Sequence, residues 1–97
     1  MTMVTALVLL NTEKGRINEV AEALAALPGI TEVYSLAGIH DLAAIIRVGS
    51  NDELADVVTH HMLKVDGIRD SQTHVAFRVH SKHDLDDMFA IGNEEAG

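Results

Sequence analysis

The chain contains no cysteine. Disulfides and thiolate chemistry are therefore excluded, and the redox compartment stays open. There is no tryptophan, and one tyrosine and two phenylalanines are the only aromatic residues among 97. Any core is thus built from aliphatic side chains. Basic residues are few, seven Lys and Arg against fifteen Asp and Glu, for a formal net charge of −8. They are scattered rather than striped, which excludes a direct nucleic-acid surface of the kind that clusters Lys and Arg on phosphates. No apolar run approaches the roughly 18 residues of a membrane span. The N-terminus has neither a basic stretch nor a small-residue cleavage site, so no signal peptide is expected and a cytoplasmic location is the default.

What the chain does have is one motif written twice, 38 residues apart. Ala6-Leu7-Val8-Leu9-Leu10-Asn11-Thr12 lines up with Ala44-Ile45-Ile46-Arg47-Val48-Gly49-Ser50. Seventeen residues after Thr12 comes Gly29-Ile30, and seventeen after Ser50 comes Gly67-Ile68. Each half reads strand, helix, turn, strand. Residues 3–11 are almost continuously apolar, as in a strand covered on both faces. Glu13-Lys14-Gly15 turns into a helix whose Ile17, Val20, Leu24 and Leu27 recur at helical spacing. The lone proline, Pro28, stops it together with Gly29. A second strand spans Ile30 to Ala37, and Gly38-Ile39-His40-Asp41 turns into a third, Leu42 to Val48, as an antiparallel hairpin. Ser50-Asn51-Asp52-Glu53 has the form of a capping box. The helix it opens places Leu54, Val57, Val58, His61 and Val65 on one face. Asp66-Gly67 ends that helix, and a long fourth strand runs from Ile68 to His80. Asp84 to Phe89 reads as a short final helix, with Leu85, Met88 and Phe89 on one side, and Asn93 to Gly97 as a frayed end. The expected division is a domain at 1–80 and a short helix and tail at 81–97.

The order β-α-β-β-α-β predicts a ferredoxin-like α+β fold, a four-stranded antiparallel sheet. Right-handed crossovers put both helices on one face. The other face has no cover of its own, yet the central strands are apolar on both faces: Val4, Ala6, Val8 and Leu10 oppose Leu7 and Leu9 in the first strand, and Leu42, Ala44, Ile46 and Val48 oppose Ala43 and Ile45 in the third. With 47% apolar residues, a chain this short buries only roughly 60–65% of its surface alone. A second copy packed face to face is the simplest cover, so a homodimer in the form of an α/β sandwich or barrel is expected.

The ordered pieces Leu27-Pro28-Gly29-Ile30, Gly38-Ile39-His40-Asp41-Leu42, Val65-Asp66-Gly67-Ile68 and Ser71-Gln72-Thr73 resemble the effector-binding half of the Lrp/AsnC transcriptional regulators. The resemblance covers roughly residues 3–80, and the combined spacing carries it. It implies a dimeric α/β fold, assembly into higher oligomers, and an amino-acid effector seated beside the 38–41 turn between adjoining dimers. Regulators of this kind usually carry an N-terminal helix-turn-helix. Here Met1 leads directly into the first strand, so the reading is a stand-alone regulation-of-amino-acid-metabolism (RAM) module, able to mix with a full-length regulator and without direct DNA binding.

The candidate ligand-binding residues are Gly38, Ile39, His40 and Asp41, with Ser71, Thr73, Tyr34 and Ser35. A turn with outward N–H groups receives a carboxylate, and Asp41 accepts from an ammonium group, so the pair suits a zwitterion. The alternative is an ordinary turn in which Asp41 bonds backbone. Ser71 and Thr73 lie two apart and share a face, which also fits plain strand propensity. Tyr34 and Ser35 are placed on the neighbouring strand, lining the same space. The six histidines lack compact metal-ligand spacing; no metal and no cofactor are expected, and His61 is placed on the packed helix face. Phe77 and Phe89 read as packing residues. Three functions compete: a ligand-sensing regulatory module, a small dimeric enzyme of the monooxygenase or isomerase kind with His74 or His80 as base, and a scaffold without ligand. The first is expected, and no catalytic residue is assigned.

Overall fold

The structure is a computed structural model and describes residues 3–80. Strand β1 spans Val4–Thr12, helix α1 Ile17–Ala25, β2 Ile30–Ser35, β3 Leu42–Val48, helix α2 Asn51–Asp56 and β4 Ile68–Val75. The strands form one antiparallel sheet in the order β2-β3-β1-β4. This is the predicted ferredoxin-like α+β arrangement. The first strand of each half lies at the centre and the second strand of each half lies at an edge. In the β1–β3 ladder, Leu7 pairs with Ile45, its own counterpart in the second half, and Ala6 pairs with Ile46 while Val8 pairs with Ala44. The sequence duplication is thus a local two-fold in the sheet, centred on Leu7 and Ile45.

The core follows from the two periods. Ala6, Val8 and Leu10 of β1, and Leu42, Ala44, Ile46 and Val48 of β3, alternate onto one face. Val20 and Leu24 of α1 and Leu54 of α2 press onto them, and all are buried. Arg16 fixes the start of α1 through two 2.9 Å bonds to the Glu19 carboxylate. At its end Gly29 adopts φ +88°, and its counterpart Gly67 adopts φ +95°. A Cβ at Gly29 would lie 3.0 Å from side chains of both Val48 and Val57, and one at Gly67 would lie 2.9 Å from Val20. The glycines recur in the repeat because both turns run backward against a packed valine.

The capping box is present in altered form. Ser50 Oγ accepts from the Glu53 N–H at 3.1 Å, while the Glu53 carboxylate accepts from Gly49 N–H at 3.2 Å, one residue outside the usual partner. The second helix departs from expectation after one and a half turns. Residues Val57–His61 form a π turn and Met62–Lys64 a 3₁₀ turn. Thr59 donates its hydroxyl to the Ala55 carbonyl at 2.6 Å, competing with the α-helical ladder there. The wider turn shifts the apolar phase by one residue. Met62 therefore enters the core, and His61 does not: its side chain is 33% exposed and faces Asp56 at 3.2 Å.

Both edge strands are shorter than predicted. β2 ends at Ser35, not Ala37. β4 ends at Val75, not His80: its last pair is with Ala6 of β1 and its last contact is Ala76 N–H to the Thr5 carbonyl at 2.7 Å, and the register would carry it no further than position 77, opposite Val4, where the chain bends. Phe77, expected to pack, is fully exposed within the chain. The expected helix Asp84–Phe89, the frayed end and the 81–97 segment lie outside the described residues.

The face away from the helices carries Leu7, Leu9, Ala43 and Ile45 in its middle. Leu7 is 39% exposed, Leu9 and Ile45 are half-buried, and Ala43 is buried between larger neighbours. Register extends these into rows: Glu32–Ile45–Leu7–His74, and Tyr34–Ala43–Leu9–Gln72. The open face is apolar in the centre and polar along both edges.

Candidate functional site

The connection between the halves, residues 36–41, is built by one carboxylate and one amide. The Asp41 N–H donates to the Leu10 carbonyl and to Asn11 Oδ1, both at 3.0 Å. Its carbonyl accepts from Leu36 N–H at 2.9 Å, closing the loop. Asp41 Oδ2 accepts from the Thr12 backbone N–H at 2.9 Å and from the Thr12 hydroxyl at 3.4 Å. Thr12 is the buried polar residue of the described chain, 3% exposed. Asn11 reaches the other way and donates to Asp70 Oδ1 at 3.2 Å. The result is a chain of contacts, Asp41–Asn11–Asp70, across the end of three strands.

This arrangement combines both readings of Asp41. One oxygen is committed to backbone, although the backbone is that of β1 rather than of its own turn. The second oxygen makes no hydrogen bond among the described residues. Nor do the N–H groups of Gly38, Ile39 and His40. The Ile39 side chain stands 88% exposed, and His40 Nδ1 is buried without a hydrogen-bond partner among the described residues. Beside Asp41 is a hollow of about 340 Å³ whose wall includes Thr12, Glu13, Lys14, Asp41 and Arg69. Two cations, Lys14 and Arg69, and two carboxylates, Asp41 and Glu13, at one opening present both signs of charge that a zwitterion needs.

The other candidates do not all join this group. Ser71 pairs with Leu10 and Thr73 with Val8, so both hydroxyls lie on the helix side of β4 and are exposed. Ser71 also lines a separate hollow beneath Val58, Met62 and Leu63. Tyr34 and Ser35 are not on a strand adjoining β4. They lie on β2, the opposite edge, with β3 and β1 between, a separation of roughly 14 Å at the usual strand spacing. Their side chains also diverge: Ser35 takes the helix side opposite Leu42, and Tyr34 the open face opposite Ala43. Tyr34 donates to the Glu32 carboxylate, and Arg47 lies 3.8 Å from Glu32. The bond to Glu32, reinforced by its negative charge, raises the Tyr34 phenol above its ordinary value. Within one protomer, then, Gly38–Asp41 form one locus, Ser71 and Thr73 a second, and Tyr34 and Ser35 a third.

Asn11, Thr12, Lys14, Arg69 and Asp70 belong to the first locus and were not foreseen. A signal existed for two of them. Pairing the repeat about Leu7 and Ile45 already sets Asn11 opposite Asp41 and brings Thr12 within reach. Arg69 and Asp70 arrive only through the β1–β4 register, which slips between Asn11 and Thr12. Among the described residues no three His, Asp or Glu side chains converge as metal ligands would. No helix there is long and apolar enough to cross a membrane.

A βαββαβ sheet with an apolar open face, and a polar locus at the joint of its halves, defines a ferredoxin-like α+β domain. The model of the Lrp/AsnC ligand binding domain matches residues 5–85, and the chain belongs to that family. It is similar to an HTH-type transcriptional regulator of Pyrococcus abyssi, 29% identical over 72 residues that cover 74% of this chain and 46% of the relative. It is also similar to the HTH-type transcriptional regulator FL11 of Pyrococcus furiosus, 28% identical over 79 residues, covering 81% and 52%. The chain thus spans about half the length of the curated relatives it matches. Among solved structures, TTHA0845 from Thermus thermophilus is 39% identical, with a TM-score of 0.75, covering 81% of this chain and 99% of that one. The AsnC structure of E. coli shares the fold at 18% identity, with a TM-score of 0.73 over 78% of this chain and 52% of that one.

Proposed function

We propose that this chain is a ligand-sensing module that binds a small amino acid or related metabolite at subunit interfaces, and that binding biases its assembly. The observation that carries this reading is the hollow at Asp41, where a carboxylate oxygen without a hydrogen bond among the described residues shares a wall with Lys14, Arg69 and Glu13, next to a turn whose Gly38, Ile39 and His40 N–H groups are unengaged there. Membership in a ligand-binding-domain family supports it. So does a regulator of Neisseria meningitidis with the same fold, whose structure is described as a complex with L-Met. The chain itself performs no chemistry in this reading; it acts within transcriptional regulation, alone or mixed with a full-length regulator.

The dimer is part of the proposal. A second copy covers Leu7, Leu9, Ala43 and Ile45 on the open face, and dimers adjoin at the Asp41 turn to complete the ligand site. The ligand can shift assembly only by its differential affinity for the assembled state. Native mass spectrometry against a panel of twenty amino acids, methionine included, reads both the bound ligand and the assembly. A ligand retained with a shift in assembly is the expected result; no retention of any of the twenty, at millimolar concentration, refutes the amino-acid reading. Leu7→Asp tests the dimer separately, since a carboxylate desolvated at the centre of the face costs several kcal/mol, on the order of the dimerisation energy itself. An unaltered, soluble dimer from this variant rules out face-to-face packing.

A further inference from the structure

β1 changes partners at Asn11. Its ladder with β3 closes at the Leu10–Leu42 pair, whereas its ladder with β4 runs on through Asn11–Asp70 to Thr12. Beyond Leu10 the Asn11 side chain takes the place of the lost ladder. Its Oδ1 accepts from the Asp41 N–H at 3.0 Å, and its Nδ2 donates to Asp70 Oδ1 at 3.2 Å. An amide suits both contacts, since it carries an acceptor and a donor on one planar group. A carboxylate there would keep the acceptor but meet Asp70 with like charge. The register slips just beside this residue: Thr12 pairs with Ile68, and Arg69 is left as the extra residue of a bulge. Strict alternation would send Ile68 and Arg69 to opposite faces. With the extra residue, Ile68 packs against the core while Arg69 joins the wall of the hollow beside Asp41.

Asp41 reaches that hollow from the residue before β3, and Arg69 from the start of β4, with β1 between them. Asn11, on the intervening strand, holds the first by its backbone N–H and the neighbour of the second by its carboxylate. Neither Asn11 nor Asp70 lines the hollow itself. We propose that Asn11 is a positioning residue of the ligand site: by holding Asp41 and Asp70 it fixes the spacing of Asp41 and Arg69, and it ties occupancy at the 38–41 turn to the start of β4. A ligand that draws on Asp41 and Arg69 together binds more tightly to a pair already held at the right separation, because less order has to be imposed on binding. The inference rests on the ligand-sensing reading above and adds a route by which occupancy reaches a second strand. That strand bears Ser71, so the route joins the first locus to the second.

Hydrogen exchange of the full chain, with and without an equimolar mixture of the twenty amino acids at millimolar concentration, tests it. In the wild type, adding the mixture slows exchange at residues 36–41 and at 68–71. Asp70→Ala leaves every contact of Asp41 in place. It keeps the slowing at 36–41 and loses it at 68–71, and the concentration needed for half-protection rises about two- to thirtyfold. Asp70→Asn retains an oxygen for Asn11 Nδ2 and restores both. Without amino acids the three proteins exchange alike at 36–41 and unfold at nearly the same temperature, because the Asn11–Asp70 bond is exposed to solvent. Slowing at only one of the two segments in the wild type, or at both in Asp70→Ala, refutes the route through Asn11 while the ligand reading stands. If neither segment slows in the wild type, the ligand reading fails and this inference with it.

Discussion

Asp41 serves two purposes that a pair of substitutions can separate. Its Oδ2 holds the Thr12 backbone N–H at 2.9 Å, next to a residue only 3% exposed. Asp41→Ala removes that acceptor and leaves a poorly hydrated donor, which costs roughly 1–3 kcal/mol. For a domain of this size each kcal/mol lowers Tm by about 4–8 °C. Asp41→Asn keeps an oxygen in the same place and loses only the charge-assisted part of the bond, roughly half its strength, so its stability stays within about 1 kcal/mol of wild type. Binding behaves differently. An ammonium group bound to the free Oδ1 loses its charged partner in both variants, a cost of roughly 1.5–3 kcal/mol, or about ten- to a hundredfold in Kd. The assays are urea unfolding for stability and calorimetric titration with whichever amino acid the native spectra retain. The expected pattern is Ala weak on both measures, and Asn near normal in stability but weak in binding. Undiminished affinity in Asp41→Asn confines Asp41 to a structural role. Undiminished stability in Asp41→Ala refutes the account of the Thr12 N–H.

Two further predictions concern the scaffold. Gly29→Ala and Gly67→Ala each add left-handed strain of roughly 1–2 kcal/mol to overpacking of roughly 1–3 kcal/mol, because the new Cβ meets valine at 3.0 Å and 2.9 Å respectively. Gly15→Ala, with nothing within 4 Å of its Cβ, shows the strain alone; equal losses of Tm for all three would deny the packing contribution. Near the start of α1, the bonds from Arg16, reinforced by its charge, hold the Glu19 carboxyl below its ordinary value. A lowered folded-state value stabilises the protein above the unfolded value near 4.5 and loses that contribution as pH falls through the folded value. Glu19→Gln should therefore flatten the loss of stability on acidification below about pH 4.5, and an unchanged acid unfolding profile would show that the pair contributes nothing there.

The repeat, the helical stripes and the turn residues made the element order legible, because each depends on neighbours in the chain. Strand polarity, the two-helix layer and the apolar open face followed from the same patterns. The helix after Ser50 was harder. Its phase changes at Thr59, whose hydroxyl finds the Ala55 carbonyl, and a pattern counted at 3.6 residues per turn continues to His61 when the wider turn has moved the core position to Met62. The edge strands read too long because β-propensity persists where pairing stops; Val75, Phe77 and Val79 still alternate in the sequence, although the last pair with β1 is made at Val75.

By itself the sequence determined the fold class, the halves that compose it and the turn at which they join. Periodicity and duplication are written along the chain, and local physics reads them. Only the tertiary structure decided which polar residues meet. Antiparallel pairing about Leu7 and Ile45 sets Asn11 and Thr12 against Asp41 and brings in Asp70 from β4, while the interleaved strand order sends Tyr34 and Ser35 to the edge opposite Ser71 and Thr73. Proximity across a sheet depends on strand order and register, and both are fixed by burying the whole aliphatic face at once rather than by any single segment.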